Sequence, residues 1–220
     1  MTPPLIIVFG ASGHGKVVCD ILLASRISVN GFIDSNPELT GREVMGLPVM
    51  GTETWIADKL KGGSVKVALG IGNQQNRKAA AEKCQSMGAE IITAIHPRAT
   101  IAASVRLGVG TVVMAGAIIN PDAEIGRGVI INTGAVIEHD VVIGDFSHIS
   151  PGAVTGGGAH IGSLTHIGMG SIILPRVSVG SGSVIGGGAV VLKDVPDQVI
   201  AYGVPAKVQA NSPNPAQGRR

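Results

Sequence analysis

The sequence predicts two domains of different class. A small Rossmann-like α/β unit with a parallel sheet covers residues 1–95, and an all-β left-handed parallel β-helix covers residues 96–207. Three observations predict this. Strand and helix signals alternate through the first 95 residues. A period of six then takes over at Ile101 and does not slip for sixteen repeats. Aromatic residues are only 2% of the chain against 33 glycines, so any core must be filled with Ile, Val and Ala, which suits a narrow, regular interior. Residues 208–220, rich in Pro, Asn, Gln and Arg, are expected to form a disordered tail.

In the N-terminal part, Leu5–Phe9 is a short apolar run ended by Gly10 and reads as a buried strand. Lys16–Ala24 has helical character, and Val29–Ile33 is a β-branched run ended by Asp34. Glu53–Leu60 reads as a helix, Val65–Leu69 as a strand ended by Gly70, Gln74–Met87 as a helix and Glu90–Ile95 as a fourth strand. Such alternation argues for a parallel sheet covered by helices. His96-Pro97 marks the boundary, because a residue before proline is pushed out of helix.

Cut into sixes from Ile101, the chain reads IAASVR, LGVGTV, VMAGAI and so on to VLKDVP, which ends at Pro196. The first position is aliphatic in every hexad except at Thr155, and the fifth is always Ala, Ser, Thr or Val. A strand repeats every two residues and a helix every 3.6. A period of six with one large and one small apolar position fits a triangular solenoid, three hexads to a coil. The second position is often Gly or Asn, types expected to supply positive φ at the corners.

Composition excludes several function classes. The net charge is +2 with no long basic run, which argues against a nucleic-acid groove. No run reaches the ~18 apolar residues of a membrane span, and Met1–Pro4 lacks the basic lead of a signal peptide. The protein is therefore expected in the cytoplasm. Cys19 and Cys84 belong to no CxxC pair and read as buried, reduced thiols.

Residues 18 apart stack in successive coils, so His139 lies in a column with Pro121 below and Gly157 above. Gly157 is the centre of three consecutive glycines, which leaves space and bare backbone N–H groups over the imidazole. That pattern suits acyl transfer, with a base for the nucleophile and an N–H for the oxyanion. Asp140 is placed to orient the ring, and Asp122 stacks beneath Asp140. The plainer reading of Glu138–Asp140 is a solvated corner. His148 and His166 share another column, and His148, nine residues from His139, is expected to line the same groove. Zinc needs three or four converging ligands. His160 falls on a different face, so no metal is expected.

In the N-terminal unit, Gly10–Gly15 reads GASGHG after a strand and before a helix, where backbone N–H groups can approach a phosphate. The spacing is GxxGxG, not the dinucleotide pattern, and the same residues could form a simple tight turn. Asp34 ends the next strand, at the place of a ribose or base contact, and Gly70–Asn73 follows the third strand. Three strand ends thus converge on one edge, where parallel sheets bind ligands. A domain of this size suits a nucleotide-bearing ligand better than a dinucleotide.

Several segments taken together, GASGHGK at 10–16, GIGN at 70–73, NTGAVIEHD at 132–140, IGDFSHISPGA at 143–153 and GVPAK at 203–207, resemble the bacterial nucleotide-sugar 4-amino N-acetyltransferases of the hexapeptide-repeat superfamily. The resemblance reaches to about Lys207 and includes sialic acid O-acetyltransferase relatives. It implies a homotrimer with acetyl-CoA, the co-substrate, lying between neighbouring prisms. It further implies a nucleotide-linked 4-amino-4,6-dideoxy sugar, carried by UDP or GDP, as acceptor. His139 matches the general base, Asp140 its acidic partner and Gly157 the oxyanion donor. His148 matches the residue near the acetyl group, and Met169 and Gly187 match coenzyme A contacts. Ser12, Gly13, His14, Asp34, Ser35 and Gly72 match the sugar-nucleotide side. Three alternatives stay open: a hydroxyl acceptor, a trimeric scaffold or sugar-nucleotide-binding protein without catalysis, and a zinc carbonic anhydrase-like trimer.

Overall fold

A computed structural model describes residues 3–212, and the chain divides after Pro97 into two compact units. In the first unit, β1 (Leu5–Phe9), β2 (Gly31–Ile33), β5 (Val65–Leu69) and β6 (Glu90–Ile92) form a parallel sheet in the order β2-β1-β5-β6. Between β2 and β5 the chain makes a small hairpin, β3 (Glu43–Val44) with β4 (Leu47–Pro48), which the strand and helix signals do not predict. The helices are α1 (Gly13–Ala24), α2 (Thr54–Leu60) and α3 (Gln74–Ser86). The chain steps from β1 to β2 on one side and then to β5 on the other, so the order reverses between β1 and β5. That switch point opens a crevice at the strands' carboxyl ends.

Two N-terminal expectations need correction. Helix α1 begins at Gly13 rather than Lys16, so Gly13, His14 and Gly15 form its first turn. The cause is close packing: a Cβ on Gly15 would sit 1.8 Å from the Gly10 carbonyl oxygen, so only glycine lets the helix start this near the strand. The fourth strand breaks at Thr93, leaving Ala94–Ile95 as a separate two-residue strand.

The second unit is a left-handed parallel β-helix. Each hexad contributes a two-residue strand, and successive strands pass in turn to three faces. The first face runs from Thr100–Ile101 to Val190–Val191, and the second from Arg106–Leu107 to Ser178–Val179. The third runs from Val112–Val113 to Val184–Ile185. Every partner lies 18 residues on, as in Val136↔Val154 and Ile143↔Ile161. The aliphatic first positions point inward and, from Val113 onward, are buried. Each contributes about 2–3 kcal/mol of transfer energy.

The small fifth positions are buried as well, and their hydroxyls are satisfied. Thr111, Ser147, Thr165 and Ser183 each donate to a carbonyl of the neighbouring coil, on Gly126, Gly162, Gly180 and Pro196, at 2.7–2.9 Å. The corners differ from expectation. Positive φ falls on the fourth position, as at Gly134, Gly152 and Gly170, and on Asp122, Asp140, Phe146, Leu164 and Arg176. The second-position glycines have ordinary φ. They are glycine because the next coil crosses directly over them: a Cβ on Gly108 or Gly162 would lie 2.4 Å from a backbone nitrogen.

The tail also differs. Residues 208–211, expected without order, belong to the strand Ala206–Asn211, which pairs antiparallel with Val199–Gly203 at the end of the third face. The turn at Val204-Pro205 returns the chain onto an edge that would otherwise be open. Residues 213–220 lie outside the described residues. Among the described residues no helix is long and apolar enough to cross a membrane.

The corner rule is testable by substitution at two glycines. Gly134 has φ +66° and nothing within 4 Å of a Cβ, so Gly134→Asn should leave the thermal unfolding midpoint nearly unchanged. Gly162→Ala forces a Cβ onto the Ser181 backbone and should destabilise by about 1–3 kcal/mol. Equal midpoints for the two variants would contradict the assignment.

Candidate active site

The residues singled out in the solenoid fall into two groups, set by which corner or face their hexad reaches. His139 and Asp140 lie at the corner between the first and second faces. Asp140 takes the left-handed conformation there (φ 60°), which Asp tolerates better than most residues. Its Oδ2 lies 2.7 Å from His139 Nδ1. With Nδ1–H donating to the carboxylate, the lone pair of the neutral ring is on Nε2. That nitrogen faces Gly157, where a Cβ would come within 2.6 Å of it. The Gly157 N–H donates to no other group among the described residues. The Asp140 hydrogen bond raises the His139 pKa above its ordinary value. Desolvation opposes the rise, and the charges of Asp140 and Glu138 add to it. Glu138, not the stacked Asp122, is the second carboxylate that acts on the ring.

His148 lies elsewhere. It projects from the third face, opposite the His139 corner, so one chain does not bring the two histidines into one groove as expected. Its neighbours there are informative. The Thr133 N–H donates to Asn132 Oδ1 (2.8 Å), which turns Asn132 Nδ2 toward His148 Nε2 (3.0 Å). An amide nitrogen only donates, so this contact makes Nε2 an acceptor and leaves the neutral ring's proton on Nδ1. His166 stacks on His148 with ring centroids 5.0 Å apart, and its Nε2 lies 2.9 Å from Ser150 Oγ. Met169, 64% exposed, and Gly187 share one column at the corner between the third and first faces. The three expected coenzyme A residues therefore sit on one side of the prism and His139 with Gly157 on another. The first face separates them.

In the N-terminal unit a cavity of about 550 Å³ opens at the switch point, and Gly10, Ser12, Asp34, Ser35 and Gly72 are among its lining residues. Gly13 and His14 are not among its lining residues. Nothing lies within 4 Å of a Cβ position on Gly13, so packing does not require glycine there, and its absence of side chain leaves the α1 N-terminus open. Asp34 plays a different part from the one expected. Its two oxygens accept from the Ala11 and Asn36 backbone N–H groups (2.8 and 2.9 Å), so it ties the β1 and β2 loops together and presents only its remaining lone pairs. The His14 pKa is pushed down to about 4, by burial first and then by the Arg77 charge, so the ring is neutral near pH 7. Its buried Nε2 has no hydrogen-bond partner among the described residues.

Three residues of this unit escaped the sequence reading. Arg77 is fully buried and donates to the Ile71 and Gly72 carbonyls (3.0 and 2.7 Å), shaping the loop after β5. Burial pushes its pKa down to about 9. The signal was available, because Arg77 falls in the helical stripe of Ala80, Ala81 and Cys84. Glu53 and Lys83 form an ion pair that lines the same cavity. Burial pushes the Glu53 pKa up, but the Lys83 hydrogen bond, its own backbone and the Lys83 charge outweigh that, and the net shift is downward. Its second oxygen, Oε2, is buried without a hydrogen-bond partner among the described residues, a deficit of about 1–3 kcal/mol when left unfilled. Burial and Glu53 push the Cys84 thiol up to about 12, which makes it unreactive. Among the described residues no three His, Cys, Asp or Glu side chains are grouped to hold a metal ion.

Comparison with known proteins follows the same division. Residues 5–84 match the PglD N-terminal domain, and residues 122–157 and 158–193 match the bacterial transferase hexapeptide model. No curated protein sequence matches the chain. Among solved structures, PerB from Caulobacter crescentus, crystallised with CoA and GDP-perosamine, is 37% identical, with a TM-score of 0.90 over 95% of this chain and 99% of that one. The acetyltransferase domain of PglB from Neisseria gonorrhoeae, in complex with acetyl coenzyme A, is 35% identical (TM-score 0.87; 94% and 100% covered). WeeI from Acinetobacter baumannii is 28% identical with the same TM-score and coverage. Fold, motifs and identity over nearly the whole chain agree, and the protein belongs to the nucleotide-sugar N-acetyltransferase family of the hexapeptide-repeat superfamily.

Proposed function

We propose that the protein transfers the acetyl group of acetyl-CoA to the C4 amine of a nucleotide-linked 4-amino-4,6-dideoxy sugar. The observation that carries the reading is the His139 dyad. Nδ1 is tied to Asp140, while Nε2 is basic and faces a glycine that leaves room for a reacting group. The amine attacks the thioester carbonyl as Nε2 takes its proton. The tetrahedral oxyanion forms against the Gly157 N–H. Collapse breaks the C–S bond, and the imidazolium returns the proton to the departing thiolate. No covalent enzyme intermediate is needed, and the buried Cys19 and Cys84 take no part. Ser12, Gly13, His14, Asp34, Ser35 and Gly72 hold the nucleotide, whose pyrophosphate suits the open N-terminus of α1.

His148, Met169 and Gly187 hold acetyl-CoA. Because the first face separates them from His139, a complete site needs the His139 corner of one chain beside the third-face side of another, which a three-fold arrangement of prisms provides. The first face supports this reading. Its outward column is Ile118, Val136, Val154, Ile172 and Val190, with Ile118 and Ile172 38% and 42% exposed, and Leu174 and Leu192 flank it. A row of apolar β-branched side chains of this length suits a buried partner better than water.

The first assay measures coenzyme A release with a thiol reagent, using acetyl-CoA and a panel of nucleotide-linked 4-amino sugars. Release with at least one member is expected, and silence across the panel would overturn the amine assignment. With the active member, His139→Ala should lower kcat by about 10²–10⁴-fold with a smaller change in KM. Gly157→Ala, which pushes a methyl group onto Nε2, should resemble it while leaving the unfolding midpoint nearly in place. Because His139 must be neutral to act as base, kcat/KM should rise with pH through its raised pKa. In Asp140→Asn that acid limb should move to lower pH and the plateau should fall. An unmoved limb would remove Asp140 from the dyad. Sedimentation equilibrium should give three chain masses, and Ile172→Asp should give one.

A further inference from the structure

Arg77 places a cation where packing alone does not require one. It lies in the stripe of α3 shared with Ala80, Ala81 and Cys84, and its side chain is wholly buried. Taking a guanidinium out of water is unfavourable, and a well-packed apolar side chain often serves stability as well. Its contacts show what the group is used for. Nη1 donates to two successive carbonyls, those of Ile71 (3.0 Å) and Gly72 (2.7 Å). Both peptides are trans, and a trans peptide sets its C=O and N–H on opposite sides. The Ile71 carbonyl shares a peptide with the Gly72 N–H, and the Gly72 carbonyl shares one with the Asn73 N–H. Both N–H groups therefore point away from the guanidinium. Ile71, Gly72 and Asn73 line the cavity and Arg77 does not, so the side of the loop turned away from Arg77 is the cavity side. Neither N–H donates to another group among the described residues.

We propose that Arg77 is a positioning residue of the sugar-nucleotide site: from behind the loop after β5 it turns the Gly72 and Asn73 N–H groups into the cavity as a pair of donors for an anionic oxygen of the ligand. The inference rests on the nucleotide-sugar reading above and deepens it by naming what orients the donors. In a nucleotide sugar the anionic oxygens are those of the diphosphate. Successive N–H groups that face one way make a concave partial positive charge suited to such an oxygen. The same two peptides turned over would present carbonyl oxygens to the cavity and repel it. Arg77 fixes which of the two the ligand meets, without touching the ligand itself. Its charge acts in the same sense, because a cation behind the loop is little screened in a buried setting. That charge is felt nearby. His14, whose Cβ lies 4.0 Å from a Cβ position on Gly72, is kept neutral by burial and by Arg77.

Amide NMR spectra of the full-length ¹⁵N-labelled protein, titrated with UDP and GDP and with uridine and guanosine, test the proposal. The Gly72 and Asn73 signals should shift downfield with whichever diphosphate binds and stay in place with the nucleosides. A diphosphate that binds without moving those two signals would overturn the role of Arg77 and leave the nucleotide-sugar reading standing. Failure of both diphosphates to bind would overturn both. Steady-state kinetics of Arg77→Met with the active amino sugar of the panel gives the second readout. The KM for the nucleotide sugar should rise about tenfold or more, while kcat and the KM for acetyl-CoA stay nearly unchanged. Arg77→Lys, which keeps the charge and the donors, should recover part of the loss. A merely structural arginine would instead lower kcat through a smaller active fraction and leave both KM values in place, and that result would overturn the proposal. The titration uses the unaltered protein, so it decides even if the variants do not fold.

Discussion

The passage of one coil directly over the next, 18 residues later, is the constraint on which the solenoid depends. Stacking at strand spacing leaves no room for a Cβ where the chain above crosses a corner, so Gly108, Gly126, Gly144 and Gly162 have none. The same crossing closes the fifth position, where Ser and Thr donate to the neighbouring coil instead of meeting water. The left-handed residue needed to turn each corner falls two places after the crowded glycine. Interior, corner and ladder are thus one geometric requirement expressed at different positions of the hexad.

That requirement also places the candidate chemistry. A corner's third and fourth positions are the ones whose side chains leave the prism together. At the fourth, left-handed backbone favours Gly, Asn or Asp. Asp140 is therefore a residue the fold accepts for its backbone and one that can polarise a neighbour by its side chain. With histidine before it, the corner becomes a base–carboxylate dyad without disturbing the coil. The column rule then puts Gly157 over the ring, so the space beside Nε2 is created by the next coil rather than by a loop.

Periodicity made much of this readable. Because 18 residues equal one coil, the relation of His139 to Gly157 and of His148 to His166 could be read from spacing alone. What spacing could not give is which face a residue meets. Nine residues is half a coil, and in a triangular prism that carries His148 to the side opposite His139. The glycine assignment failed for a related reason: glycine serves both left-handed φ and close approach, and composition does not distinguish them. In the N-terminal unit, Arg77 reads as an ordinary surface residue of a polar helix unless the stripe through Cys84 is noticed. Glu53 and Lys83 are thirty residues apart, and only the folded sheet brings them together.

The two units meet different demands with different kinds of backbone. The solenoid is rigid by repetition, every corner held by the coil beneath it, and such rigidity suits a base that must present one nitrogen in one direction. The cavity of the sheet is shaped by single interactions that nothing repeats. The Asp34 carboxylate bridges two loops, the Arg77 guanidinium holds two carbonyls, and the Glu53–Lys83 ion pair lines the cavity wall. Each of these can change without its neighbours changing. The lining of the sheet unit's cavity can therefore vary while the His139 dyad stays fixed by the repeat of the prism. A chain divided in this way can alter its cavity by a few substitutions at strand ends without disturbing the corner that holds His139 and Asp140.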